Sequence, residues 1–157
     1  MSLVKVKREE ETKGKYQKKL SPTKEKNAVC IFLVDDDLSY LYPLGFFLQK
    51  NTEHRIYCYT SGEDCVKHMY QAPDIIILDF NLNPELPNVM NGLEVLKEVK
   101  EIRPKTKVIM LSGRETYEDV TKSLKLGAYT YVIKDIEALD KLKKIINTIA
   151  SEKSKEA

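Results

Sequence analysis

The amino-acid sequence predicts one α/β domain in which helices cover both faces of a five-stranded parallel sheet. Short, uninterrupted apolar segments, of which residues 75–78 are the clearest, alternate with amphipathic segments of helical length. Strands without polar alternation are typical of a parallel sheet that is buried on both faces. Five strands and five helices joined by right-handed crossovers fit a doubly wound fold with strand order 2-1-3-4-5.

The predicted elements follow one another in regular alternation. Strands are predicted over residues 29–34, 54–59, 75–78, 108–113 and 129–133. Helices are predicted over 38–50, from Ser61 onwards, from Gly92 to just before Pro104, over 115–126 and over 136–150. Ser61 provides an N-cap and Gly127 a C-cap. Pro43 lies inside the first helix, where it predicts a kink or a later start.

Charge separates a basic N-terminal tail from the rest of the chain. Residues 1–27 hold nine Lys or Arg and four Glu, a net charge of +5, which leaves −3 for the remainder of a chain whose total is +2. Because this tail has few apolar residues, we expect it to be disordered or loosely helical. A solvated linker is the favoured interpretation, and binding to nucleic acid or an anionic membrane is the alternative. The folded domain is then expected over 28–150, with 151–157 as a short C-terminal tail.

Composition also indicates a cellular compartment. No apolar run approaches the roughly 20 residues of a membrane span, and no secretion signal precedes the predicted domain. The three cysteines, Cys30, Cys58 and Cys65, form no CxxC pair and are most simply explained as reduced thiols. We therefore expect a cytoplasmic protein.

Two of the predicted strands end in acids. The first strand is followed by Asp35, Asp36 and Asp37, and the third by Asp79. Since the carboxyl ends of parallel strands share one edge of a sheet, these side chains should converge, and like charges would raise one another's pKa unless a cation neutralised them. Mg²⁺ prefers such oxygen ligands. A helix N-cap is the alternative role for an acid at this position, and we assign it to Asp37.

The fourth and fifth strands end at Ser112 and Lys134, which adds a hydroxyl and a cation to the same edge. With this set the sequence resembles the receiver domain of two-component response regulators, a flavodoxin-like fold, over about residues 28–150. The resemblance implies that Asp79 accepts a phosphoryl group and that Lys134 is the family's conserved lysine. It implies that Mg²⁺ is held by Asp35, Asp36, Asp79 and the backbone carbonyl of Asn81.

The same resemblance implies roles for four further positions. Ser112 and Tyr131 correspond to the switch hydroxyl and switch aromatic, and Gly113 to the small residue that leaves room for the phosphodonor. The side chains of Asn81 and Arg114 border the path of the water that removes the phosphoryl group. We expect Arg114 to cover that group, and a solvent-directed Arg114 without such a role is the alternative.

The sequence departs from the family pattern in three places. The loop 81–91 is about five residues longer than the family's usual connection. Lys134 is followed by Asp135, where the family commonly has a cis proline, and we expect a trans bond because a cis one would cost about 3 kcal/mol. Tyr129 and Thr130 replace the acids that dimerising receivers often carry.

The resemblance implies a Mg²⁺-dependent phosphoacceptor that is not an enzyme beyond its own phosphorylation and dephosphorylation. The implied partners are a sensor histidine kinase or a histidine phosphotransfer protein, and a downstream effector protein. We expect a monomer or weak homodimer, without direct nucleic-acid or membrane binding. A phosphorylation-independent adaptor is the main alternative. A metal-dependent phosphohydrolase is disfavoured because Asn81 stands where such enzymes usually place a second acid.

Overall fold

The structure is a computed structural model, and it describes residues 27–50, 52–114 and 116–157. The predictions for the basic tail fall almost entirely on residues 1–26 and therefore lie outside the described residues.

Five strands form one parallel sheet in the order β2-β1-β3-β4-β5, which confirms the predicted topology. The strands are β1 at Cys30–Val34, β2 at Arg55–Tyr59, β3 at Ile75–Asp79, β4 at Lys107–Ser112 and β5 at Thr130–Ile133. Each boundary lies within one residue of the predicted one. The apolar runs predicted these bounds closely because the three middle strands, β1, β3 and β4, are almost wholly buried.

Alternate side chains of the central strands point into two separate cores. One core contains Ile31, Leu33, Ile75, Ile77, Ile109 and Leu111. The other contains Cys30, Phe32, Val34, Ile76, Leu78, Val108 and Met110. This division explains the unbroken apolar runs, since a strand covered on both faces has no solvent-exposed side for polar residues.

Within the described residues, five helices flank the sheet. They are α1 at Leu38–Gln49, α2 at Gly62–Lys67, α3 at Gly92–Ile102, α4 at Tyr117–Lys125 and α5 at Ala138–Glu156, with a 3₁₀ turn at Met69–Gln71 after α2. Helices α1 and α5 fill the first core with Leu41, Leu44, Leu48, Leu142, Ile146 and Ile149. Helices α2 and α3 fill the second with Cys65, Val95, Leu96 and Val99. None of the described helices has the length and apolar character needed to cross a membrane.

Capping residues fix where the first helices begin. The Asp37 carboxylate accepts the backbone N–H of Ser39 at 2.9 Å, and Ser61 Oγ accepts that of Asp64 at 3.2 Å. Helix α1 begins at Leu38 and continues through Pro43, so it does not start late, and the alternative expectation of a kink stays a prediction. The physical reason is that Asp37 secures the first turn, while the exposed Pro43 ring is accommodated at the helix surface.

The last two helices differ from their predicted bounds. Helix α4 begins at Tyr117 because Thr116 Oγ1 accepts the Asp119 N–H at 3.1 Å as an N-cap, and Gly127 follows it with the expected left-handed φ of 95°. Helix α5 begins at Ala138, two residues late, because Asp135 holds the preceding turn through the Glu137 N–H at 2.9 Å.

Helix α5 also continues to Glu156, so most of the expected C-terminal tail 151–157 is helical. The extension has a fixed contact with the sheet. Lys153 Nζ lies 2.8 Å from Asp74 Oδ2, and the same carboxylate oxygen accepts the Cys30 N–H at 2.8 Å. Asp74 therefore joins the end of α5 to the start of β1, a link that hydrophobic periodicity alone does not predict.

Candidate functional site

Three carboxylates meet at the carboxyl edge of the sheet. Val34 and Leu78 are paired in the register of β1 and β3, which places Asp35 beside Asp79 at the ends of neighbouring strands. Ligand oxygens of Asp35, Asp36 and Asp79 all lie within 4.8 Å of one another. Asp35 and Asp79 are only 4% and 6% exposed, whereas Asp36 is open to solvent. The structure thus brings together the acids that the sequence predicted to converge.

Lys134 lies between the two buried carboxylates. Its Nζ is 2.6 Å from Asp35 Oδ2 and 3.2 Å from Asp79 Oδ1. The backbone N–H of Lys134 also donates to the Ser112 carbonyl at 2.7 Å, so β4 holds the backbone from which the lysine side chain extends. Every described peptide bond is trans, including Lys134–Asp135, as expected. Because a single ammonium lies beside both buried carboxylates, removing it would take the lysine's positive charge away from both of them.

The electrostatics of this cluster are dominated by burial. Burial, followed by the neighbouring Asp35 carboxylate, raises the pKa of Asp79 to about 6, although Lys134 and the Asn81 N–H act in the opposite direction. Burial by itself would lower the pKa of Lys134, but contacts with Asp35 and Asp79 outweigh it and raise that pKa. The cluster therefore holds more negative charge than one lysine can neutralise.

Ser112 and Gly113 stand at the end of β4. Ser112 is fully buried, and its Oγ accepts the Arg114 N–H in a long 3.4 Å hydrogen bond. A Cβ atom added to Gly113 would meet nothing within 4 Å, so the space beside this residue is open. The two positions thus combine a buried hydroxyl with an accessible gap at the same sheet edge.

Tyr131 connects β5 to the segment that follows Ser112. Its hydroxyl donates to the Arg114 carbonyl at 3.1 Å, and its half-buried ring lies 6.0 Å from the Phe80 ring, centroid to centroid. Arg114 itself is exposed, and its guanidinium forms no ion pair with the carboxylates of the described residues. Whether it covers a bound phosphoryl group stays a prediction.

The long loop 81–91 is anchored at both ends. At the start, the Asn81 N–H donates to Asp79 Oδ1 at 3.3 Å, and Leu82 is buried in the second core. At the end, the Met90 N–H donates to Glu63 Oε1 on α2 at 2.6 Å, and Asn91 caps α3 in a capping box. The extra length therefore lies in the exposed middle, 84–88.

The acid cluster fits a hard divalent cation. All three side chains offer carboxylate oxygens, the donors that Mg²⁺ prefers, and none offers nitrogen or sulfur. With Asp35, Asp36 and Asp79 ionised, Lys134 offsets one of three negative charges, and a divalent cation would balance the other two. The exposed Asp36 leaves one side open to water. The Asn81 carbonyl as a further ligand stays a prediction.

Comparison with known proteins decides the family. The family model of the response regulator receiver domain matches residues 31–147. The chain belongs to the response regulator receiver family. This confirms the resemblance seen in the sequence and the predicted fold.

Two curated relatives of this receiver domain come from Escherichia coli strain K12. The nitrate/nitrite response regulator protein NarL is 39% identical over 80 residues, which cover 51% of this chain and 35% of NarL. The regulatory protein AtoC is 29% identical over 122 residues, which cover 76% of this chain and 24% of AtoC. The chain thus spans well under half of either relative.

Solved structures of receiver domains superpose over most of the chain. The BeF3-activated receiver domain of DrrB, a Thermotoga maritima protein, has a TM-score of 0.67 and 29% identity, covering 79% of this chain and 98% of that one. A CheY-like receiver domain protein from Methanospirillum hungatei JF-1 has a TM-score of 0.67 and 26% identity, covering 83% and 99%.

Sequence reasoning missed two residues that shape the site of this receiver domain. Tyr40 on α1 places its ring beneath Lys134, whose Nζ is 4.6 Å from the ring centroid. Gly92 packs against the end of β3, since a Cβ there would lie 2.5 Å from the Asp79 carbonyl oxygen. A tyrosine in an amphipathic helix carries no signal that distinguishes it from a core residue. A glycine that opens a helix can signal a close approach, but not to which backbone.

Proposed function

We propose that this receiver domain accepts one phosphoryl group on Asp79 in a Mg²⁺-dependent reaction. The proposed donor is a phosphohistidine of a sensor histidine kinase or a histidine phosphotransfer protein. The observation that carries the proposal is the buried Asp79 carboxylate, which lies within 4.8 Å of Asp35 and Asp36 oxygens and 3.2 Å from Lys134 Nζ. Two further carboxylates and an ammonium thus surround the Asp79 carboxylate at one sheet edge, which supports its role as a nucleophile beside a metal ion.

In the proposed reaction, a carboxylate oxygen of Asp79 attacks phosphorus and the bond from phosphorus to the donor nitrogen breaks. The electron pair of that bond leaves with the imidazole nitrogen, and the product on this chain is an acyl phosphate. Mg²⁺ bound by Asp35, Asp36 and Asp79 would supply positive charge beside the phosphoryl oxygens. Lys134 supplies a second positive charge, which is already fixed at hydrogen-bonding distance from Asp79.

The open space at Gly113 accommodates the incoming phosphodonor. Ser112 is suited to hold the transferred group, because its Oγ accepts a long hydrogen bond from the Arg114 N–H and its hydroxyl proton can be donated to a phosphoryl oxygen. Movement of Ser112 toward that group would displace the Arg114 backbone. Tyr131 would respond, since its hydroxyl is bonded to the Arg114 carbonyl.

This link gives a route from the site to a protein-binding surface on α4, β5 and α5. The exposed large apolar residues on and after α4 are Tyr117, Leu124, Leu126, Tyr129 and Ile136. We propose that their arrangement changes with phosphorylation and that a downstream effector protein binds there. The three cysteines are free, which supports a cytoplasmic setting for this signalling.

The test is the intact mass of the protein after incubation with acetyl phosphate and Mg²⁺. We expect one added phosphoryl group, none without a divalent metal, and none in Asp79→Asn. Asp36→Ala should weaken Mg²⁺ binding, because it removes the exposed acid of the cluster. Wild-type protein that gains no mass would favour the adaptor function, and a labelled Asp79→Asn variant would refute Asp79 as the acceptor.

A further inference from the structure

Tyr40 borders the acid cluster from the first turn of α1. Lys134 Nζ lies over its ring, 4.6 Å from the centroid. The ring is half-buried and packs against the core formed by α1 and α5. The roles proposed for the acid pair, the switch residues and the phosphoacceptor do not require an aromatic side chain at position 40.

Two carboxylates and one aromatic ring contact the Lys134 ammonium. Asp35 Oδ2 accepts one of its N–H groups at 2.6 Å, and Asp79 Oδ1 forms an ion pair with it at 3.2 Å. The Tyr40 ring forms a wall beside these contacts, and the negative face of an aromatic ring attracts a cation, most strongly where water is excluded. Since a lysine stem has four rotatable carbons, such a wall removes rotamers that would carry the ammonium out of the cluster.

The ring is held in a fixed relation to the acids. The Asp37 N–H donates to Asp35 Oδ1 at 2.9 Å, and the Tyr40 N–H donates to the Asp37 carbonyl at 3.1 Å. Two successive hydrogen bonds thus tie the first turn of α1 to the metal-ligating carboxylate. The backbone of Tyr40 is therefore linked to Asp35, the carboxylate that binds Lys134.

We propose that Tyr40 is a positioning residue that holds the Lys134 ammonium between Asp35 and Asp79. The inference rests on the proposed function for its effect on phosphoryl transfer, but the placement of Lys134 can be measured without phosphorylation. The face of the ring carries the role, and the hydroxyl does not.

The experiment compares Tyr40→Leu and Tyr40→Phe with a matched control, Phe47→Leu. Phe47 lies on the same helix, packs against the same core and carries the same kind of contact, with Lys143 Nζ 4.1 Å from its ring centroid, away from the acid cluster. Two quantities are measured: the mobility of the Lys134 ε-methylene by ¹³C relaxation in metal-free protein, and the rate of labelling by acetyl phosphate with Mg²⁺.

We expect Tyr40→Leu to mobilise the Lys134 ε-methylene and to slow labelling about five-fold, equivalent to about 1 kcal/mol of barrier. Tyr40→Phe and Phe47→Leu should match the wild type in both measurements. A Lys134 ε-methylene that stays as rigid in Tyr40→Leu as in the wild type would overturn the proposal. So would a Tyr40→Phe variant whose lysine mobility and labelling rate change as much as those of Tyr40→Leu. If wild-type protein is not labelled, the proposed function fails, and relaxation alone decides the role of Tyr40.

Discussion

Replacing the buried Asp79 with asparagine should make the metal-free protein more stable at neutral pH. Burial and the Asp35 carboxylate raise the pKa of Asp79 to about 6, so the folded protein holds an ionised Asp79 at a cost. Asparagine keeps the shape of the side chain and its carbonyl acceptor for Lys134, but it carries no charge. The substitution therefore removes the repulsion and most of the desolvation penalty.

The magnitude follows from linkage. A rise in the pKa of Asp79 from 3.8 to about 6 corresponds to about 3 kcal/mol between the charged and neutral forms. Because the folded-state pKa is the higher one, the cost is absent below about pH 4, grows as the pH rises and is complete above about pH 6. At pH 7.5 the free energy of unfolding of Asp79→Asn should therefore exceed that of the wild type by about 2 to 3 kcal/mol. For a chain of this size this corresponds to roughly 5 to 10 °C in Tm.

The assay is urea denaturation in EDTA at pH 7.5 and pH 4, comparing wild type, Asp79→Asn and Asp36→Asn. The last variant is the matched control, because it removes an acid of the same cluster that is exposed, and it should change the free energy of unfolding by less than about 0.5 kcal/mol. An Asp79→Asn variant no more stable than wild type at pH 7.5 would refute the reasoning. So would a gain that persists undiminished at pH 4.

Three further predictions concern phosphate lifetime, packing and pH. Arg114→Ala should speed loss of label from phosphorylated protein several-fold, about 1 kcal/mol, because a guanidinium can cover the phosphoryl group. Gly92→Ala should lower the free energy of unfolding by about 1–3 kcal/mol in urea denaturation, because its Cβ would lie 2.5 Å from the Asp79 carbonyl oxygen. Burial lowers the pKa of His54, and its Nδ1 accepts the Val29 N–H at 3.3 Å. Its contribution to stability is therefore complete above pH 6.5 and falls as the pH drops toward the lower folded-state pKa. His54→Asn can accept the same hydrogen bond without titrating. In thermal melts, the Tm of this variant relative to the Tm of the wild type should therefore rise as the pH falls from 7 to 5.

Each of these has an outcome that counts against it. Unchanged or slower decay of the label in Arg114→Ala would show that the guanidinium does not cover the phosphoryl group. The control for Gly92 is Gly113→Ala, whose Cβ would meet nothing within 4 Å, and equal losses in the two variants would contradict the packing argument. A stability difference between His54→Asn and wild type that is flat from pH 7 to pH 5 would show that His54 is not the titrating group.

The sequence predicted the sheet well because its strands obey a strong rule. Residues 75–78 are apolar without interruption since both faces of β3 are buried, and the short length of the run favours a strand over a buried helix. Once the strands were placed, Asp79, Ser112 and Lys134 had to meet at one edge. That convergence depends only on strand direction and order.

Helix ends and neighbours of the site were harder to predict, because they depend on single side-chain contacts. Helix α5 continues past Ala150, a segment where Lys153 binds Asp74 at the opposite edge of the sheet, and no local pattern encodes that partner. The contact between Tyr40 and Lys134 joins residues that are remote in sequence. Pairings of this kind arise from the assembled fold rather than from periodicity or spacing.

The long loop 81–91 shows how a receiver domain can vary beside its site without disturbing it. The Asn81 N–H and the buried Leu82 fix the chain directly after Asp79, and Glu63 fixes it again at Met90. Added residues between these anchors change the exposed border of the site but not the position of the Asp79 carboxylate. A loop with two fixed ends is therefore a place where partner preference can change while the chemistry of the sheet edge is kept.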